Sequence, residues 1–117
     1  MKKIKIKYEF KNKDILNSQI IEAKIDNDCI SFYDKTNNYN SFDYKRKILV
    51  VEYDDHNLII DFNSETMIIK MNDYVIDLKL DDFEYNIDKL NIDMSYYIDD
   101  FKVIYKVGVI KWVYLRT

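Results

Sequence analysis

The alternation near the start of the chain constrains its fold more than any other feature. In Lys3-Ile4-Lys5-Ile6-Lys7-Tyr8-Glu9-Phe10 every even position is apolar and every odd position charged. A period of two sends successive side chains to opposite faces of a strand, one wet and one buried. The same period recurs as far as Leu115, and no segment carries a sustained helical stripe.

Turn chemistry divides this pattern into short strands. Residues near 18–25 form a second strand with Ile21, Ala23 and Ile25 on one face, and Asp26-Asn27-Asp28 turns into Cys29-Ile30-Ser31-Phe32-Tyr33. Proline is absent and glycine occurs once, at Gly108, so Asn and Asp must take the left-handed turn positions. Residues 34–41 read as the longest polar loop, 42–53 as one long strand, and 54–57 as a turn. Short strands are predicted over 58–62 and 67–71, with alternating segments after Asn72-Asp73, Asp81-Asp82, Asp88-Lys89 and Asp99-Asp100. Residues 11–19 have room for a single helical turn, and Gly108 for a bulge or bend before the last strand.

Spacing of this kind predicts one all-β domain over residues 1–117. The expected architecture is a closed antiparallel up-and-down barrel, calycin- or lipocalin-like, of about 8–10 short strands. Closure is favoured because it removes the edges through which open sheets aggregate. A β-sandwich is the alternative. The expected inward residues are Ile4, Ile6, Tyr8, Phe10, Phe32, Ile60, Phe62, Ile76, Leu78, Phe83, Tyr85, Met94, Tyr96, Phe101 and Tyr105.

With that strand order in place, the chain resembles the YwiB-like family of uncharacterised calycin-like β-barrel proteins from low-GC bacteria. Three stretches carry the likeness: the opening strand Lys3–Phe10, the segment Ile30-Ser31-Phe32-Tyr33-Asp34, and the tail. In the tail the match runs through Tyr74–Leu80, Leu90–Tyr97 and Phe101–Val107. The resemblance implies a calycin-like fold and no assigned chemistry. The use of Ile, Lys, Asn, Asp and Tyr at the expense of Gly, Ala and Pro is itself that of an A/T-rich genome.

Composition narrows the functions. Without a leader or an apolar run long enough to cross a bilayer, the expectation is a soluble, cytoplasmic protein with no membrane partner. A net charge of −3 argues against nucleic acid, whose binding rests on phosphate neutralisation. Lys3, Lys5, Lys7 and Lys45-Arg46-Lys47, with Phe42 and Tyr44 nearby, keep a single-stranded nucleic-acid binder as an alternative.

Catalytic groups are scarce. His56 and Cys29 are each the only residue of their type, so the usual zinc sets cannot be assembled. His56 sits in Asp54-Asp55-His56-Asn57, which reads as an exposed turn, and Cys29 opens an apolar strand as a buried thiol. A Cys29–His56 dyad would require the two on adjacent strands. The acidic pairs fall at strand junctions, where Asp supports turns. No catalytic residue, metal ligand or cofactor is assigned, and the chain reads as a non-enzymatic binding or interaction module. Its partner would be a protein or a small apolar ligand carried in the barrel lumen. Tyr85, Tyr96 and Tyr105, each in register with buried apolar neighbours, are the candidate ligand-binding residues, because a buried hydroxyl needs a partner.

Overall fold

The computed structural model describes residues 2–113, with side chains to residue 110; Leu115 lies outside the described residues. The strands are β1 (Lys2–Asn12), β2 (Ile15–Asp26), β3 (Cys29–Tyr33), β4 (Tyr39–Asp43), β5 (Ile48–Glu52) and β6 (Asn57–Asp61), followed by β7 (Thr66–Lys70), β8 (Val75–Lys79), β9 (Asp81–Asp88), β10 (Asn91–Ile98) and β11 (Phe101–Val113). Every ladder is antiparallel, in the order β8-β7-β6-β5-β4-β3-β2-β1-β11-β10-β9. The eleven strands form one nearly closed, barrel-shaped sheet with no helix among the described residues.

Three local expectations are corrected. The segment 42–53 is two strands, because a four-residue turn at 44–47 separates β4 from β5. Lys45-Arg46-Lys47 therefore lies in a turn. The helical turn expected within 11–19 is absent, since Lys13-Asp14 joins β1 directly to β2. Gly108 lies inside the continuous strand β11, and the register shift falls just beyond it, between the pairs Ile6↔Val109 and Lys5↔Lys111.

Two turns are built alike. Asp43 Oδ1 accepts from the backbone N–H of Lys45 and of Arg46, at 2.9 and 3.0 Å, and Lys47 N–H returns to the Asp43 carbonyl. Asp61 Oδ1 likewise accepts from Asn63 and Ser64, and Glu65 N–H returns to the Asp61 carbonyl. Lys47 and Glu65 occupy left-handed backbone, at φ 57° and 58°. The residue after each aspartate is aromatic and turns inward: Phe42 stands edge-on to Tyr44, with centroids 5.1 Å apart, and tilts against Phe62 at 5.0 Å.

These rings help to close the barrel where the ladder does not. β8 and β9 are consecutive in sequence but pair with β7 and β10, not with each other. β9 instead lies against the two turns. Phe62 packs on Phe83 and Tyr85 at 5.3 and 5.2 Å, and the Tyr44 hydroxyl donates to the Leu90 carbonyl at 2.7 Å. Leu80 N–H donates to the Glu65 carbonyl.

Ile4, Ile6 and Tyr8 of β1, with Ile30, Phe32, Phe42, Leu49, Val51, Ile60, Met94, Tyr96 and Tyr105, form the buried interior. Most expected inward residues are there, but Leu78 is 44% exposed and Tyr85 39%. Both occupy the inward-facing register, paired with the buried Met67 and Met94. They are wet because their strands are the two unpaired ends of the sheet. Ile76, next to Leu78 on that face, is only half-buried.

The turn chemistry is testable. Asp43→Ala removes two charge-assisted bonds and should cost about 1–2 kcal/mol in urea unfolding, with Asp43→Asn recovering most of it.

Candidate binding site

Strand lengths create a concavity on the outside of the sheet. β2 has twelve residues and β3 five, and they share three ladder pairs: Lys24↔Ser31, Ile25↔Ile30 and Asp26↔Cys29. Beyond Lys24↔Ser31 the two strands part. β3 stops because Asp34 starts a tight turn: its Oδ1 accepts from the backbone of Thr36 and Asn38 and from the Thr36 hydroxyl, and Asn37 adopts φ 63°. Beyond that point the buried Gln19 side chain ties β2 to the turn after β3, accepting from Lys35 N–H at 2.9 Å.

Between those two ties lies a groove of about 480 Å³ lined by Ile21, Glu22, Lys24, Ser31, Phe32, Tyr33 and Tyr39. Tyr33 and Tyr39 are the last pair of the β3–β4 ladder, with ring centroids 5.1 Å apart, and Tyr33 is 60% exposed. Glu22 is held by Lys3 at 3.4 Å, whereas Lys24 has no ion-pair or hydrogen-bond partner among the described residues. Phe32, almost wholly buried, packs on Tyr8 at 5.3 Å and forms part of the boundary between groove and interior.

Behind Phe32 the lumen is nearly full. Its remaining cavity, about 20 Å³, is lined by Tyr8, Tyr53, Tyr96 and Tyr105 together with apolar side chains. That volume suits about one water molecule, against roughly 300–1,000 Å³ for a typical ligand pocket. Tyr105 donates to Asn40 Oδ1 at 2.9 Å, and the Asn40 amide donates in turn to the Asn38 carbonyl and Asp34 Oδ2. Burial raises the phenol pKa of Tyr8, Tyr53, Tyr96 and Tyr105; the nearby Asp34 carboxylate adds to this for Tyr8, Tyr53 and Tyr105, and Tyr53 for Tyr96. All four are neutral hydroxyls at physiological pH.

Of the three tyrosines expected in the lumen, Tyr96 and Tyr105 line this cavity and Tyr85 does not. Tyr85 packs against Phe62 and Phe83 at the open end of the sheet, with Lys47 Nζ 5.7 Å from its ring. Tyr53 was missed for a traceable reason. Overlooking the turn at 44–47 reverses inside and outside from there to the next turn at 54–55, which hides Tyr53 from a period-two reading. The groove itself had one signal, the unequal length of two neighbouring strands, and the expected second strand near 18–25 was too short to reveal it.

The potential catalytic groups are dispersed. His56 Nδ1 lies 2.7 Å from Asp55 Oδ1, and its ring stacks on Tyr53 at 4.5 Å. This hydrogen bond holds the exposed Asp55 carboxyl below its usual range. Cys29 is partly exposed rather than buried, and its thiol is pushed up by desolvation and by Asp43, Asp28 and Asp26. It cannot form a dyad with His56. Two strands separate β3 from β6, and Cys29 aligns through Asp43 and Ile48 with Asp61, the far end of β6 from His56. Among the described residues no three His, Cys, Asp or Glu side chains converge as a metal site.

Tyr105→Phe strands the fully buried Asn40 acceptor and should cost about 1–3 kcal/mol in chemical denaturation, whereas Tyr85→Phe should be nearly neutral. The buried phenols also set an alkaline limit. Their folded pKa values lie above the ordinary 10.0, so the unfolded chain loses its protons first. Stability should be unaffected by these groups below pH 10 and fall as pH rises above it, read by phenolate absorbance alongside unfolding. No known protein family, curated protein or solved structure matches this chain.

Proposed function

We propose that this protein is a cytoplasmic, non-enzymatic binding module of the calycin-like kind, related to the YwiB-like barrels of low-GC bacteria, whose ligand sits in the gap between β2 and β3. The observation that carries the reading is the contrast in free volume, about 480 Å³ in the gap and about 20 Å³ in the lumen. The gap is of ordinary ligand-pocket size, with apolar and aromatic walls and a few polar groups. A lumen carrier of the lipocalin kind would need its core emptied first. Two of the three outer lysines give little support to nucleic acid, since Lys3 and Lys7 are already paired with Glu22 and Glu9.

A protein partner is the second reading, favoured by one feature. β8 is an unpaired edge strand that exposes Val75 and Leu78, with Tyr74 beside it. An extended segment could add to such an edge through main-chain bonds.

Titration with N-phenyl-1-naphthylamine, a neutral fluorophore that joins a phenyl ring to a naphthalene, tests the first reading. It should bind saturably, and Tyr33→Ala should weaken it about tenfold, the effect of losing one good aromatic contact. Tyr85→Ala, at the other end of the barrel, should leave it unchanged. Equal loss in both variants, or no saturable binding, would overturn the assignment.

A further inference from the structure

We propose that the ligand of the β2–β3 gap is a small aromatic anion, its ring against Tyr33 and Tyr39 and its acid group on Lys24. This rests on the gap being the binding site and adds the chemistry of what enters it.

Charge and hydrogen bonding make the argument. Three cations and one anion lie side by side on the outer face of β1 and β2: Lys3 beside its ladder partner Lys24, and Lys5 beside its ladder partner Glu22. The Lys3–Glu22 pair at 3.4 Å satisfies one of each sign. Lys24 is left with its charge unbalanced among the described residues, at the wall of the groove, in a chain whose net charge is −3. An anion placed there would meet an ammonium group that gives up no existing partner. The main chain adds donors. From Ile15 to Ala23, β2 is laddered to β1 alone, so the amides directed away from β1 have no strand to bond. The Gln19 side chain takes up only the opposite wall, at Lys35. Unpaired amides beside a lysine suit a carboxylate, sulfonate or phosphate oxygen.

The ring half of the ligand is fixed by a different set of residues. Tyr33 and Tyr39 are tilted by 54°, so they present an angled platform rather than one flat stack. Tyr33 is largely exposed, as an aromatic face awaiting a partner would be. Ile21 and Phe32 line the same groove and exclude water from the ring. A neutral aromatic would use only this half of the groove; a compact anion such as free phosphate would use only the other.

Two fluorophores separate the halves. The anion 1-anilinonaphthalene-8-sulfonate is matched in rings to neutral N-phenyl-1-naphthylamine. At low ionic strength the sulfonate should bind the wild-type protein about three- to fivefold more tightly, the scale of one exposed ion pair. Lys24→Gln should abolish that advantage without weakening the neutral probe, and added salt should reduce it in the wild type. Lys70→Gln, on β7 five strands away, should leave the advantage intact and so controls for net charge. If both probes bind equally, or if Lys24→Gln weakens them equally, the anion assignment is overturned while the groove stands. If Lys70→Gln acts like Lys24→Gln, the preference belongs to the whole surface and the assignment falls. If neither probe binds saturably, both readings fall together.

Discussion

Main-chain hydrogen bonding between strands of unequal length governs this structure. β1, β2 and β11 run for eleven, twelve and thirteen residues, while the strands from β3 to β8 have five each. Long strands can ladder fully only with one another, and β1 does so with both of its neighbours. Where a long strand meets a short one, main-chain groups are left over. The gap between β2 and β3 is the direct product. So are Ile15, Leu16 and Ile20, three exposed apolar residues on the part of β2 that β3 does not reach. Such groups must find side chains or water, because an unpaired amide is costly once it is buried.

Closure follows another rule. Twist brings the two ends of the sheet together, but at the turn through Leu80 they meet by side-chain packing. Phe62, Phe83 and Tyr85 supply rings at that contact, and Tyr44 and Leu80 each add one hydrogen bond to it. A joint of packed rings leaves strand edges available, whereas a ladder would consume them. β9 protects its edge with charge, exposing Asp81, Asp82, Glu84 and Asp88. β8 has less protection, with Asp77 and Lys79 set among exposed apolar residues.

Period two made the all-β class, the barrel and most of the interior legible, because the physics of alternation is local: Ile4, Ile6 and Tyr8 go inward whatever surrounds them. The Asp and Asn clusters marked real turns or junctions at Asn27-Asp28, Asp54-Asp55, Asn72-Asp73 and Asp99-Asp100. What escaped was non-local. The turn at 44–47 contains Tyr44, Lys45, Arg46 and Lys47, none a turn residue by type, and depends on the carboxylate of the preceding Asp43. The exposure of Leu78 and Tyr85 follows from which strands fail to pair, and the polar chain from Tyr105 through Asn40 to Asp34 joins residues 65 and 6 positions apart. Lys24, Tyr33 and Tyr39 look like ordinary surface residues until the divergence of two strands places them around one space.

The left-handed turns have a further consequence. Among the described residues, eight other than glycine hold positive φ, and four of them, Lys13, Lys47, Glu65 and Lys89, lack the short polar side chains that ease this conformation. Each such residue costs about 1–2 kcal/mol relative to an ordinary backbone conformation. The strain sits at hairpin tips, where few tertiary contacts oppose its release. Local opening should therefore begin at the turns, with individual hairpins fraying while the central β2–β1–β11–β10 ladders persist. A protease would meet this protein first at its loop ends. The near absence of glycine makes those ends mechanically the weakest parts of an otherwise continuous sheet.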